Sequence, residues 1–183
     1  MTHAAALPDA RSARVRLRPT MQSDLDFVLS LEQDPANQPF ITPWERLQHE
    51  AAIRFPDFRH FIVETGPGLE AGGFLILIGC RNPHLAVELK RMVVRDKQQG
   101  IGRAALKVAK KIAFDDLGAH RFWLDVRKSN ARAQALYASE GFVLEGELRQ
   151  AVKIAGGYDS LVVMSMLQAE FAQRRSQAEE LPG

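Results

Sequence analysis

Arg95-Asp96-Lys97-Gln98-Gln99-Gly100-Ile101-Gly102-Arg103-Ala104-Ala105 links two strongly patterned segments, and the reading of this link decides the fold. Before it, Ala86 to Val94 reads as a strand. After it, Ile101, Ala104, Ala105, Val108, Ala109 and Ile112 recur on one face of a helix running to Leu117, with Gly118 placed to end it. Glycines between a strand and a helix let the backbone curl until its amide N–H groups point outward. The helix N-terminus adds about half a positive charge, so the junction suits a pyrophosphate. Arg95, Lys97 and Arg103 surround it with cationic side chains. A tight turn carrying solvated basic residues is the competing reading, and the loop alone supports both.

If phosphate binds, a dinucleotide is one carrier. Gly100 to Ala105 fits G-x-G-x-x-A, and Asp125 closes the next strand about 20 residues on. Three features oppose that reading. Arg95 to Gln99 separate the strand from the first glycine, several strands precede the loop, and too little chain follows it for a two-half dinucleotide fold. A P-loop fails because no G-K-[S/T] follows.

Working outward, Arg14 to Arg18 alternates with period two and stops at Pro19, as an edge strand does. A helix start is expected at Ser23, with Leu25, Val28 and Leu29 at helical spacing. A second is expected at Thr42-Pro43-Trp44-Glu45, with Thr42 as cap and Glu45 reaching back to it. His60 to Glu64 and Gly73 to Cys80 read as a hairpin about Gly66-Pro67-Gly68. Phe122 to Val126 is a further strand. Asn130 caps a helix carrying Ala133, Leu136 and Tyr137, which Gly141 closes. Phe142 to Leu148 and Leu161 to Leu167 are late strands around Gly156-Gly157, and from Gln168 a polar surface helix and tail follow. The order β-αα-βββ-α-β-α-ββ is that of an α/β protein with a mixed (α+β) sheet flanked by helices.

Composition narrows the classes further. The chain has 183 residues, 46% of them hydrophobic, and its 24 Lys+Arg nearly balance 22 Asp+Glu for a net charge of +2. Length and composition fit one globular domain, and the charge argues for neither a nucleic-acid nor a membrane partner. The lone Cys80 rules out an intrachain disulfide and a multi-cysteine zinc site. No metal-ligand spacing joins His49, His60, His84 and His120, so no metal is expected. The start, Met1 to Asp9, lacks the basic flank and apolar run of a secretory signal, and the expected location is cytoplasmic.

Two motifs then point to one family. Lys97-Gln98-Gln99-Gly100-Ile101-Gly102 matches [Q/R]-x-x-G-x-[G/A] except at Lys97, and Asn130-Ala131-Arg132-Ala133-Gln134-Ala135-Leu136-Tyr137-Ala138-Ser139-Glu140-Gly141-Phe142 matches N-x-x-A-x-x-L-Y-x-x-x-G-F. Both resemble the GNAT superfamily of acyl-CoA-dependent N-acyltransferases. Glu88 to Val94, the Gly157-Tyr158 turn and Met164-Ser165-Met166 extend the likeness to the branch of ribosomal-protein N-terminal acetyltransferases (the RimJ/RimL type). The resemblance implies a single GNAT domain over residues 12–168, an N-terminal extension over 1–11 and a polar tail over 169–183.

It also implies an acetyl-CoA-dependent N-acetyltransferase acting directly on a primary amine, either a small molecule or a protein N-terminus, with a homodimer as one open assembly. A catalytically silent acyl-CoA-binding regulatory module is the alternative. By the resemblance, backbone groups near Met92, Val93 and Val94 bind the pantetheine arm. Lys97, Gln98, Gln99, Gly100, Ile101, Gly102 and Arg103 hold the pyrophosphate, with Asn130 and Ala133 beside the arm. Tyr137 is either the general acid facing the CoA sulfur or a core tyrosine packed one turn from Ala133. Glu88 is either a general base or an ion-pair partner of Lys90 or Arg91. Phe40, Trp44 and Tyr158 are candidate walls for the acceptor. Cys80 reads as a buried apolar residue rather than an acyl carrier.

Overall fold

The computed structural model describes residues 15–180, so the expected extension over 1–11, and Arg14 of the first strand, lie outside the described residues. Seven strands form one sheet in the order β1-β2-β3-β4-β5-β7-β6. They are β1 (Val15–Pro19), β2 (Phe58–Thr65), β3 (Glu70–Ile78), β4 (Ala86–Val94), β5 (Arg121–Arg127), β6 (Val143–Ile154) and β7 (Gly157–Leu167). Only β4 and β5 run parallel; every other neighbouring pair is antiparallel. The helices are α1 (Leu25–Glu32), α2 (Arg46–Arg54), α3 (Ile101–Lys111), α4 (Ala131–Ser139) and α5 (Gln168–Glu180). The expected order holds, and α5 is the helix expected from Gln168.

Helices cover both faces, which explains the unbroken apolar run of β3. Leu75 and Leu77 join the larger core, with Ala105, Leu106 and Ala109 of α3 and Phe122 and Leu124 of β5. Phe74 and Ile76 turn the other way to meet Val28 and Leu31 of α1. All four are fully buried, contributing about 1.5–3 kcal/mol each. Gly73 lies so close to β4 that a Cβ there would stand 2.4 Å from the Val93 carbonyl oxygen.

Several boundaries move for identifiable reasons. Ser23 does not cap α1. It sits in a 3₁₀ turn, Gln22–Asp24, fixed by Asp24, whose carboxylate accepts from the Met21 amide at 2.7 Å and pairs with Arg18. Thr42 does not cap α2, because its carbonyl accepts from Arg91 at 2.9 Å and its hydroxyl from Arg127 at 3.3 Å. The helix starts three residues later, in a capping box made by Glu45 and Gln48. After Lys111, α3 loosens into a π turn, Ile112–Asp116, before Gly118 at φ 63°. The ring of Phe171 stacks on Phe114 of that turn with centroids 4.7 Å apart, docking α5 on the core.

Candidate active site

β4 and β5 pair only through Ala86, Val87 and Glu88 against Arg121, Phe122 and Trp123. Beyond Glu88 they splay, leaving the β5 side of Leu89 to Val94 without a strand partner. On its other side β4 stays paired with β3, where Ile76 opposes Arg91 and Leu77 opposes Leu89, so Lys90 is the extra residue of a bulge. A cavity of about 730 Å³ occupies the splay. Leu89 to Val94, Asp125, Val126, Arg127 and Tyr137 line its middle. Phe40, Ile41, Thr42 and Trp44 close one side, and the glycine loop with α4 closes the other.

The glycine-loop end is built from main chain. Gly100 takes φ 74° at the N-cap of α3, and Gln98 also lies in the left-handed region at φ 65°. Gly100 offers no side chain to cap the helix, so the first-turn amides of α3 remain free for a ligand. Lys97, Gln98, Gly100, Gly102 and Arg103 line the cavity, whereas Gln99 does not and Ile101 turns into the core. Lys97 donates to the Ala36 carbonyl at 3.2 Å, and Arg103 to Glu140 at 2.6 Å. Arg95 pairs with Asp96 outside the cavity. Met92, Val93 and Val94 line the cavity, as do Asn130 and Ala133. Asn130 caps α4 by accepting from the Ala133 amide at 3.1 Å.

Tyr137 both packs in the core and lines the cavity. Its ring packs edge-on against Phe142, with centroids 5.9 Å apart, while the residue also lines the cavity. Burial, assisted by the charge of Asp125, pushes its phenol up to about 12. Glu88 is buried, accepts from Lys90 at 3.1 Å and does not line the cavity. Burial raises its carboxyl above the usual range, against the pull of Lys90. Cys80 is partly buried against the core, where burial raises its thiol. Tyr158 is 61% exposed on the β6–β7 hairpin and lies outside the cavity.

The opposite wall is held by buried side chains. Arg91 pairs with fully buried Glu32 of α1, and its guanidinium lies 5.3 Å from the Trp44 ring centroid. His49 of α2 lies 3.4 Å from Glu32 and 3.0 Å from His60, which contacts the Thr20 hydroxyl at 2.9 Å. Burial of Glu32 opposes its ionisation, but the adjacent His49 and the Arg91 charge hold its carboxyl below the ordinary range. This chain of contacts fixes α1, α2 and β4 together, with Trp44 as both packing residue and cavity wall. His84 and His120 are exposed.

Residues 14–143 match the family described as the acetyltransferase (GNAT) domain. The chain belongs to the GNAT acetyltransferase family. It is 28% identical over 176 residues to spermidine N(1)-acetyltransferase of Escherichia coli K12, covering 90% of this chain and 91% of that one. The structure of Vibrio cholerae spermidine N-acetyltransferase in complex with CoA and spermine superposes with a TM-score of 0.78 at 26% identity, over 86% of this chain and 98% of the other. A dodecameric structure of the Vibrio cholerae enzyme superposes with a TM-score of 0.75 at 26% identity, over 87% and 97%.

This acetyltransferase therefore carries out acetyl-CoA-dependent N-acetylation of an amine. Among the described residues, no helix is long and apolar enough to cross a membrane. No motif assigned Glu32, Arg91, Asp125 or Arg127 to the transfer site; Asp125 figured only in the rejected dinucleotide fingerprint and Arg91 only as a possible partner of Glu88. The sequence offered only one hint, that Asp125 and Arg127 stand at the polar positions of an otherwise apolar strand.

Proposed function

We propose that acetyl-CoA lies along the β4 and α3 side of the cavity, that the acceptor amine enters from the α1–α2 side, and that the acetyl group passes directly between them. The observation that carries this reading is the splay of β4 from β5 after Glu88. It opens unpaired β4 backbone groups and the N-terminus of α3 into the cavity that Tyr137 lines. The α3 amides, Lys97 and Arg103 suit the pyrophosphate, with Gln98, Gln99, Gly100, Ile101 and Gly102 shaping the loop. Met92, Val93 and Val94 offer main-chain hydrogen bonds to the pantetheine arm, beside Asn130 and Ala133.

Transfer needs a neutral amine, a stabilised carbonyl oxygen and a proton for the leaving thiolate. A β4 backbone N–H near Met92 supports the second requirement. Tyr137 supports the third, because a phenol raised to about 12 stays protonated at neutral pH. Glu88, outside the cavity lining, acts as base only through water, and its raised carboxyl favours proton acceptance. Phe40 and Trp44 are the acceptor walls. Tyr158 touches only an acceptor long enough to leave the cavity.

Residues 12–168 form the catalytic domain in this reading, with 169–183 as an appended polar segment, and the enzyme is cytoplasmic. The exposed Leu144 and Leu148 on edge strand β6 favour a homodimer, as does the dodecameric relative. The relatives' names make spermidine the first amine to assay, followed by other small amines and peptide N-termini. Thiol release from acetyl-CoA across these amines tests the reading. Amine-dependent release, with a melting temperature raised by acetyl-CoA, is expected. Binding of acetyl-CoA without release for any amine would instead favour a silent regulatory module.

A further inference from the structure

On the acceptor side of the cavity, most charges already have partners. Arg91 is paired with Glu32, and Lys90 with Glu88. Lys97 and Arg103 lie at the opposite end, by the N-terminus of α3. Two charged groups remain on the β5 wall. Among the described residues, no ion pair or side-chain hydrogen bond engages Asp125, and Arg127 has only the 3.3 Å contact to the Thr42 hydroxyl.

β5 presents both side chains on one face, since Phe122, Leu124 and Val126 between them join the core. Their Cα atoms are about 7 Å apart, the span of a small amino-acid-sized molecule. Arg127 is only 7% exposed, yet most of its five donors are unengaged. Asp159 feels the Arg127 charge, but its carboxylate accepts from Ser129 Oγ at 2.6 Å and the Ser160 amide at 2.8 Å, and no ion pair joins the two residues. A guanidinium this buried, with no carboxylate of its own, is a place where an anion brought by a ligand would be stabilising.

We propose that Asp125 and Arg127 form a two-charge clamp that selects a small zwitterionic acceptor. Asp125 attracts the ammonium that becomes the acetylated amine, and Arg127 binds a carboxylate or phosphate on the same molecule. A polyamine would find one unpaired carboxylate beside an unpaired guanidinium that repels it. The clamp rests on the proposal that this cavity is the transfer site.

The test measures thiol release at saturating acetyl-CoA with matched amines: β-alanine against β-alaninamide, O-phosphoethanolamine against ethanolamine, and spermidine alone. The carboxylate pair and the phosphate pair separate the two anion chemistries. At least one amine that carries the anion should exceed its partner without it by about 10-fold or more in kcat/KM and outrun spermidine. Arg127→Gln should lower that value by about 10- to 100-fold and erase the advantage over the partner that lacks the anion. Arg127→Lys should restore part of the preference, which a variant damaged in folding would not do. Release that is fastest with spermidine, or a preference unchanged in Arg127→Gln, keeps acetyl transfer and overturns the clamp. No release with any amine removes acetyl transfer itself, and the clamp with it.

Discussion

The two ends of the cavity are made differently. At the α3 end, the cavity is bounded by main chain: a left-handed Gly100, the first-turn amides and an unpaired strand edge, with side chains that are partly exposed or tied elsewhere. At the α1–α2 end the wall is held by side chains gathered from four elements, with Glu32, Arg91, His49 and His60 all buried. A main-chain site tolerates side-chain change, because the groups that bind are common to every residue. A buried side-chain site does not, because removing one partner strands the other.

The largest effect should follow from Glu32→Ala, which leaves Arg91 and His49 facing an uncompensated hole. A loss of about 3–5 kcal/mol in urea denaturation is expected. A loss under about 1 kcal/mol would break the contrast between the ends. Acid should expose the same network. Burial, then the charge of His49, lowers His60 to about 3, so the unfolded chain takes its proton more readily. Its contribution is therefore complete above about pH 6.5 and is lost as pH falls toward 3. The Glu32 carboxyl, also held low, loses its contribution in the same direction but only below its unfolded value of about 4.5. In His60→Gln, stability followed by denaturation across pH should flatten between about pH 6.5 and 4.5.

Tyr137→Phe comes next. It removes the phenolic proton while keeping the ring against Phe142, so kcat should fall about 100-fold with CoA affinity unchanged. Equal turnover would leave Tyr137 as a packing residue alone. Asn130→Ala removes the α4 cap and should cost about 1 kcal/mol in thermal or chemical denaturation. The smallest effect belongs to the main-chain end. Lys97→Ala should raise the KM for acetyl-CoA only about threefold to fivefold, since the α3 amides stay in place. A hundredfold rise would mean that side chains carry that end too.

This contrast also explains what the sequence made legible. The element order and the α3 end could be read because each depends on contiguous residues: a strand, a glycine link, a small-residue helix face, and the Asn130 to Phe142 segment. The acceptor end could not be read in that way. Glu32 meets Arg91 across 59 positions, and Thr42 meets Arg127 across 85, so no local pattern records either contact. The same distance explains the displaced start of α2, since Thr42 is an excellent cap until two arginines of the sheet claim it. Glu88 and Tyr158 show the complementary case. Glu88 sits on its expected strand and Tyr158, expected in a turn, falls at the start of β7, but register and bulge decide which side chains reach the cavity.

Hydrogen–deuterium exchange with and without CoA tests most directly whether the cosubstrate is held by main chain. Slowed exchange confined to Met92–Val94 and the Gln98–Ala104 link is expected, with the α1–α2 segment unchanged. Protection centred on α1 and α2, with the β4 edge and the glycine link unaffected, would contradict it.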